Sequence, residues 1–370
     1  MLKRVLAVGA AGALMLGVAA CGSDDSSAGS SGSSATPAPK ARVGVILPDT
    51  QSSARWENAD RPFLAKAFKA AGVDSDIQNA NGDKAKFATI ADQMLNEGVN
   101  VLLIVNLDSP SAAAVINKAH QQGVPVIDYD RLTLGGGADY YVSFDNVAVG
   151  TAQGEGLVKC MQANGDKSGP VALLNGSPTD NNATLFKQGY EKAIKAAGYT
   201  IAADQSVPDW DNTKAGTIFE QMFTKANGKF VGVDSANDGL GGAVAAVLAR
   251  NGGSKTIPTT GQDATDEGLQ RVLLGSQCMT VYKAIKKEAD AASKLAIALA
   301  KGDTAGADAL ATGQVEDTET KQQVKSVLLE PQAIFPENVK DVVADGFTTA
   351  DKICTSEALK KACEEQGVSG

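Results

Sequence analysis

The sequence predicts an α/β protein built as two doubly wound lobes, each around a parallel sheet. From residue 42 onward, short apolar runs of β-forming residues alternate with amphipathic helical segments, which is the pattern of βαβ units. The chain has 370 residues, and a chain of that length usually divides into two domains. Polar or aromatic side chains follow six of the apolar runs, at the strand ends where open parallel sheets bind ligands.

The N-terminal region is predicted to lie outside the folded part of the protein. Residues 1–20 have a basic start and an apolar stretch rich in Ala and Gly, which is the shape of an export signal peptide. The stretch ends at Cys21 in a context that resembles the lipobox of bacterial lipoproteins, and an ordinary secretory signal that contains a Cys is the alternative. Residues 21–41 are rich in Ser, Gly, Asp and Pro and are expected to form a disordered tether. We therefore expect an extracytoplasmic domain, lipid-anchored to the cell membrane through Cys21.

The sequence of the first half of the folded region predicts alternating strands and helices. A strand over 43–47 leads to a helix that Asp60 is expected to cap, with Pro62 in its first turn and Gly72 after its end. The run from Val101 to Val105 is apolar throughout, as expected for a strand covered by helices on both faces. The other elements of this half are a helix starting at Asp83, a helix opening at Ser109-Pro110 and a strand ending near Asp128.

A second series of βα units begins at Val171. Its apolar runs are again short, and the segments between them have helical periodicity. The predicted helices lie near 183–197, 213–225, 239–250, 266–274 and 284–301. The order of elements therefore repeats the architecture of the first half.

Composition argues against several classes of function. Acidic residues outnumber basic ones by 43 to 34, which disfavours nucleic acid or anionic lipid as a partner. His120 is the only histidine, so the chain lacks the residues for a Ser-His-Asp triad or an ordinary zinc site. We therefore expect no enzyme, no metal and no cofactor, with the membrane contacted only through the lipid anchor.

Four cysteines remain beyond Cys21, and an even number in an exported protein favours two disulfides. Three pairings are possible. Because two of these cysteines flank a short helical stretch, we favour Cys354 with Cys363, and hence Cys160 with Cys278.

Six short stretches resemble the periplasmic sugar-binding proteins of ABC importers, and most closely the xylose-binding branch of the ribose/galactose/arabinose-binding family. They follow the order of the family and extend over nearly the whole mature chain. They are Ala54-Arg55-Trp56, Tyr129-Asp130-Arg131, Gly176 to Ala183, Ala236-Asn237-Asp238, Gly261 to Ala264 and Met279 to Lys283. The resemblance implies a type I periplasmic binding protein fold, in which three crossovers form a hinge between the lobes, and a monomer.

The resemblance also implies where the lobes begin and end. The N-lobe is expected to comprise residues 42–143 plus 281–328, and the C-lobe residues 144–280 plus 329–370. The crossovers would lie near 143–145, 278–282 and 327–331, and closure on a ligand would be a hinge motion.

A set of polar and aromatic residues in the matching stretches is expected to bind a monosaccharide. Carboxylates accept from hydroxyls, guanidinium groups donate from a planar fork, and amides do both. Indole rings suit the C–H faces of a sugar, and the flanking aspartates of Trp210 favour a partly exposed ring. Asn181 and Asn182 could instead cap the following helix, although Asn182 is kept as a ligand. The full set is Arg55, Trp56, Asp130, Arg131, Asn181, Asn182, Trp210, Asn237, Asp263 and Lys283.

The expected function is capture of an aldose such as xylose or glucose and its delivery to an ABC permease, without catalysis. The alternative is a sugar or sugar-acid sensor that signals to a membrane kinase or chemoreceptor, because Arg55, Arg131 and Lys283 offer three cations to a carboxylate. An anchored glycosidase is a third possibility, disfavoured because no catalytic pair of carboxylates is evident.

Overall fold

The structure is a computed structural model that describes residues 41–253 and 256–369. The predicted signal peptide, the lipidation site Cys21 and all of the tether except residue 41 lie outside the described residues. Among the described residues, no helix combines the length and apolarity that crossing a membrane requires.

The first part of the described chain has five strands and three α-helices, which alternate from β1 to β4. A π-helical turn, Trp56–Asp60, precedes the first long helix. The elements are β1 (Arg42–Leu47), α1 (Arg61–Ala70), β2 (Asp74–Asn79), α2 (Lys84–Asn96), β3 (Val101–Ile104), α3 (Ser109–Gln121), β4 (Val126–Tyr129) and β5 (Tyr140–Phe144).

The middle part continues the alternation and includes a short 3-10 helix, Pro208–Trp210. Helices α5 to α8 agree with the predicted ones within two residues at each end, whereas α4 was not predicted. The elements are α4 (Asn146–Ala163), β6 (Pro170–Asn175), α5 (Asn181–Ala196), β7 (Thr200–Ser206), α6 (Asn212–Lys225), β8 (Gly232–Ser235), α7 (Asp238–Arg250) and α8 (Asp266–Leu274).

The last part of the described chain has four strands and five α-helices. A second short 3-10 helix covers Pro336–Asn338. The elements are β9 (Thr280–Tyr282), α9 (Ile285–Ala300), α10 (Thr304–Leu310), β10 (Gly313–Glu316), β11 (Gln323–Leu329), β12 (Gln332–Ile334), α11 (Val339–Ala344), α12 (Ala350–Ile353) and α13 (Glu357–Gln366).

The larger sheet has seven strands in the order β10-β11-β5-β4-β3-β1-β2. All its pairings are parallel except that of β10 with β11. The packing of β3 explains why its sequence is apolar throughout. Val101 and Leu103 pack in one core cluster with residues of α1 and α9, whereas Leu102 and Ile104 pack in another with residues of α2 and α3. Both faces of this strand are therefore covered, as predicted.

The smaller sheet has three parallel strands in the order β7-β6-β8. Its core cluster includes residues of α4, α5, α6 and α7. Helices α4 and α5 approach closely, since a Cβ atom on Gly150 would lie 1.9 Å from the carbonyl oxygen of Phe186. A larger residue at Gly150 would push α5 away, and α5 carries Asn182 at its N-terminus.

Strands β9 and β12 pair antiparallel in a separate two-stranded sheet. Strand β9 follows α8, and β12 follows β11 of the seven-stranded sheet. Of the lobe boundaries expected from the resemblance, the one between residues 280 and 281 falls within β9, and the one between 328 and 329 falls at the end of β11. Disulfide bonds join Cys160 to Cys278 and Cys354 to Cys363.

One predicted cap is wrong. The Asp83 carboxylate accepts from the amides of Ala85 and Lys86 at the start of α2, as expected for an N-cap. Asp60 makes no capping bond, because the chain is already helical before it and the π-helical turn runs directly into α1. Its carboxylate points into the protein instead and pairs with Arg55.

Candidate functional site

Arg55 lies at the centre of a buried charge network. Its Nε and Nη2 atoms donate to the two carboxylate oxygens of Asp60 at 2.9 and 2.8 Å, and Nη1 donates to Asp130 at 2.7 Å. Nη2 also donates to Glu288 on α9 at 2.5 Å. The Tyr129 hydroxyl donates to Asp60 at 2.6 Å. Three carboxylates therefore fix one guanidinium group from three different segments of the chain.

Burial acts differently on the carboxylates around Arg55. Burial raises the pKa of Glu288 to about 8, although Arg55 opposes the shift. Burial also raises the pKa of Asp60 against the attraction of Arg55. At Asp130, burial by itself raises the pKa, but the charges of Arg55, Lys283 and Arg131 outweigh it and hold that pKa below its usual value. Asp130, which faces three cations, is therefore the one of these three carboxylates whose pKa lies below its usual value.

Asp130 joins this network to side chains that come later in the chain and lie across the cleft that all these residues line. Asn182 Nδ2 donates to the carbonyl oxygen of Asp130 at 2.8 Å and to its carboxylate at 3.1 Å. Lys283 Nζ lies 3.9 Å from the same carboxylate and 3.0 Å from that of Asp263. Asn182 stands in the first turn of α5, where Asp180, and neither Asn181 nor Asn182, accepts the capping bond.

Asp180 connects Arg131 with Trp210. Its Oδ2 lies 3.0 Å from Arg131 Nε and accepts from the indole N–H of Trp210 at 3.1 Å. Arg131 Nη1 donates to the carbonyl oxygen of Asn106 at 3.1 Å. The other tryptophan, Trp56, lies beneath two guanidinium groups, 4.5 Å from that of Arg55 and 5.6 Å from that of Arg131.

Two further contacts link the segment after β1 to the loops beyond β8. Asn237 caps α7 with its side-chain oxygen and donates from Nδ2 to the carbonyl oxygen of Ser52 at 3.1 Å. Ser53 Oγ donates to Asp263 at 3.1 Å. Both contacts join residues about two hundred positions apart in the chain, so they hold the two sides of the cleft together.

Trp210 is buried rather than partly exposed as predicted, with 5% of its surface accessible. The turn before it is responsible, because Asp209 and Trp210 both have positive φ, at 60° and 56°, and so direct the indole inward against Gly176. Asp130 and Asp263 also have positive φ, at 63° and 93°. Non-glycine residues adopt such angles at a cost and are frequent at functional sites, so four strained residues mark the lining of one cleft.

The cleft contains an inner and an outer cavity. The inner one has a volume of about 30 Å³, which is room for about one or two water molecules. The outer one has a volume of about 730 Å³ and shares Arg131, Asp180 and Trp210 with the inner one. A ring with several hydroxyls does not fit the inner cavity while its polar groups bond to one another, so these side chains have to separate to admit a ligand of that size.

The structure brings together nine of the ten residues predicted to bind a ligand. Asn181 lies apart, because it is the first residue of α5 and does not line the inner cavity. The roles of all ten as ligands stay a prediction. The nine that line the inner cavity are Arg55, Trp56, Asp130, Arg131, Asn182, Trp210, Asn237, Asp263 and Lys283.

Sequence reasoning missed several residues of this site. Asp180 and Gln262 stand inside stretches that carried the family resemblance, so their position was a usable signal. Glu288 also left a signal, since it falls among the apolar residues on the buried face of α9. The missed residues that line the inner cavity are Ser52, Ser53, Asp180, Phe186 and Gln262.

His120 pairs with Asp139 on the surface at 2.9 Å, away from the cleft. In the part of the chain that the structure describes, no group of three or more His, Cys, Asp or Glu residues is arranged to hold a metal ion.

Comparison with known proteins identifies the family. Residues 43–304 match the family described as periplasmic binding protein domain. The chain is 33% identical over 315 residues to the D-xylose-binding periplasmic protein of Escherichia coli K12, covering 84% of this chain and 92% of that protein. It is 30% identical over 340 residues to the multiple sugar-binding periplasmic receptor ChvE of Rhizobium radiobacter, covering 85% of this chain and 93% of that receptor.

Solved structures agree with this result. A carbohydrate transporter solute-binding protein of Chloroflexus aurantiacus, in complex with D-glucose, superposes with a TM-score of 0.73 at 28% identity, covering 84% of this chain and 97% of that one. An ABC transporter solute-binding protein of Clostridium phytofermentans with bound β-D-glucose gives a TM-score of 0.74 at 26% identity, covering 84% and 99%. The resemblance and the fold class predicted from the sequence are therefore confirmed. The chain belongs to the periplasmic binding protein family and has its type I fold.

Proposed function

We propose that this protein is an extracytoplasmic receptor that captures an aldose, such as xylose or glucose, between two lobes and delivers it to an ABC transporter. The observation that carries the proposal is the inner cavity, where carboxylates, guanidinium groups, amides and two indoles meet from both sides of the cleft. The names of the relatives, which are sugar-binding periplasmic proteins, support the same ligand class.

The chemistry of the cavity suits a sugar ring. Each hydroxyl both donates and accepts, and an unpaired buried polar group costs about 1–3 kcal/mol. Asp130 and Asp263 supply acceptors, Arg131 and Lys283 supply donors, and Asn237 supplies both. Trp210 and Trp56 supply apolar surface for the C–H faces. The protein would bind and release the sugar unchanged, without catalysis.

We further propose that the lobes have the boundaries expected from the sequence and move as rigid bodies about β9, β12 and the crossover before α4. Contacts across the cleft, such as Asn182 with Asp130 and Asn237 with Ser52, join the lobes directly. A sugar would take over these hydrogen bonds from both sides, and its contacts to both lobes would favour the closed state. The closed, sugar-bound form would dock on the permease as a monomer, held near the membrane by lipidated Cys21.

A thermal-shift screen of the mature protein against xylose, glucose, galactose, arabinose, ribose and galacturonate tests the proposal. A ligand present at about 100 times its dissociation constant adds about 2.7 kcal/mol to the free energy of unfolding. We expect a shift with one or two neutral aldoses, lost in Asp263→Ala and kept in Asp290→Ala. Asp290 is the matched control, because among the described residues its carboxylate pairs only with Lys286, in an exposed i,i+4 ion pair on α9.

Absence of a shift with every sugar would refute the receptor proposal. A shift that Asp263→Ala and Asp290→Ala both retain would refute the placement of the ligand in the inner cavity.

A further inference from the structure

Three polar side chains cluster around the crossover before α4, behind the wall of the cleft. They are Tyr141 and Ser143 on β5 and Asn146, the first residue of α4. All three are buried, with at most 5% of their surface accessible. None of the three lines the inner or the outer cavity. Any effect that they have on a ligand in the cleft therefore has to pass through a residue that lies in front of them.

The residue in front of Asn146 is Asn182, which lines the inner cavity. Asn146 Nδ2 donates to Asn182 Oδ1 at 2.9 Å and to the Tyr141 hydroxyl at 3.0 Å. The nitrogen of the same Asn182 amide donates to the carbonyl oxygen of Asp130 at 2.8 Å. Because a carbonyl oxygen only accepts, Asn182 has to present its nitrogen to Asp130 and its oxygen to Asn146. The partners of the amide thus fix its orientation.

The other two side chains of the cluster hold Asp130. The carbonyl oxygen of Asp130 accepts from Ser143 Oγ at 2.9 Å and from the Tyr141 hydroxyl at 3.0 Å. Asp130 has a φ of 63°, a conformation that persists in a non-glycine residue only when the surroundings impose it. One cluster therefore positions two residues of the cleft: Tyr141 and Ser143 hold Asp130, and Asn146 holds Asn182.

These hydrogen bonds respond differently to the proposed motion of the lobes. Under the proposed boundaries, Asn146 and Asn182 belong to the same lobe, so their hydrogen bond persists when the lobes separate. The bond from Asn182 to Asp130 joins the two lobes and would break. Asn146 would then keep the Asn182 amide in one orientation before a sugar arrives.

We propose that Asn146 is a positioning residue for sugar binding, which holds the Asn182 amide with its nitrogen toward the cleft and so makes Asn182 a hydrogen-bond donor to the ligand. The inference rests on the proposed function and deepens it by naming a residue that acts on the same site from outside it. The oxygen and nitrogen of an amide are nearly equal in size, so without Asn146 the group could turn over. Binding would then have to select the productive orientation, at a cost in affinity.

A double-mutant cycle on sugar affinity tests whether Asn146 acts through Asn182. The probe is D-xylose, or whichever aldose of the thermal-shift screen binds more tightly, titrated calorimetrically into the wild type, Asn146→Ala, Asn182→Ala and the double variant. We expect Asn146→Ala to raise Kd about five- to tenfold, as the loss of one neutral hydrogen bond does. When Asn182 is already Ala, the same change should raise Kd by less than about twofold. A merely structural role of Asn146 would change the affinity equally in both backgrounds.

Asn146→Asp reverses the hydrogen-bonding character of the position at nearly constant shape. A carboxylate only accepts, so the Asn182 amide would turn its nitrogen toward residue 146 and its oxygen toward the cleft. We expect Kd to rise at least about tenfold. The variant should fold, because a carboxylate in the first turn of a helix is favourable, and its melting temperature without sugar checks this.

Asn164→Asp is the matched control. Asn164 is the C-cap at the other end of α4, is exposed, and donates from Nδ2 to the carbonyl oxygen of Thr256 at 3.4 Å. We expect its Kd to equal that of the wild type.

Three results would overturn the role of Asn146. They are equal rises in Kd on Asn146→Ala in the two backgrounds, wild-type affinity in Asn146→Asp, and wild-type affinity in Asn182→Ala. Each of them presupposes a wild type that binds sugar. A wild type that binds none of the aldoses in the thermal-shift screen would instead overturn the proposed function, and this inference with it.

Discussion

Gly176 stands directly after β6, and its lack of a side chain determines where Trp210 lies. A Cβ atom at Gly176 would approach three ring carbons of Trp210 at 2.0, 2.2 and 2.5 Å. Carbon atoms in contact prefer a separation of about 3.5–4.0 Å, so Gly176→Ala would force the indole to retreat by about 1.5 Å. Its hydrogen bond to Asp180, now 3.1 Å long, would break.

The expected cost of Gly176→Ala follows from these contacts. Overpacking of a buried site costs about 1–3 kcal/mol, and the lost hydrogen bond adds about 1 kcal/mol. Because the displaced ring lines the inner cavity, we expect the dissociation constant of the bound aldose to rise at least about tenfold. The free energy of unfolding should fall by about 2–4 kcal/mol in the same variant.

The assay combines isothermal titration with urea unfolding, and Gly216→Ala is the matched control. Gly216 lies within α6, where a Cβ atom added to it would meet no atom within 4 Å. Since Ala is favoured over Gly in a helix, the control should gain about 0.5–1 kcal/mol and bind sugar normally. Normal affinity and stability in Gly176→Ala would show that the position of Trp210 matters neither to the fold nor to the ligand.

Three further perturbations probe the core and the hinge region. Burial raises the pKa of Asp234 to about 8, so the native state holds a proton that the unfolded state loses above about pH 4, and stability should fall as the pH rises from about 4 to 8. Asp234→Asn should reduce that slope in melting temperatures measured across this range, although other buried carboxylates such as Glu288 keep part of it, and an unchanged slope would contradict the assignment. Arg55→Met should cost about 3–5 kcal/mol in urea unfolding, because Asp60 is left buried without its cation; a loss below about 1 kcal/mol would contradict this. Replacing both Cys160 and Cys278 by Ser removes a disulfide bond between residues 118 positions apart. The free energy of unfolding should fall by about 2–5 kcal/mol. Equal stability of the oxidised wild type and the double variant would rule out a stabilising bond.

Much of the architecture follows from local patterns. The apolar run from Val101 to Val105 predicted a strand buried on both faces, and β3 packs against helices on both sides. The N-cap at Asp83 and the helices of the second half were predictable because capping and the 3.6-residue period depend on neighbours in the chain. The placement of Asp130 and Asn237 at the site was also predictable, since each follows a parallel strand, β4 and β8, and ligands bind beyond the carboxyl ends of such strands.

The sequence by itself thus determined the α/β class, the family and most of the cleft lining. Only the tertiary structure decided how the charges pair. Asp60 looked like a helix cap, yet it is buried against Arg55, and Glu288 reaches the same guanidinium from 233 positions away. Local pattern specifies the direction and period of each element, whereas the partner of a buried charge depends on which side chain the packing of distant elements places opposite it. For that reason the three cations that suggested an anion site in the sequence lie paired with carboxylates in the fold.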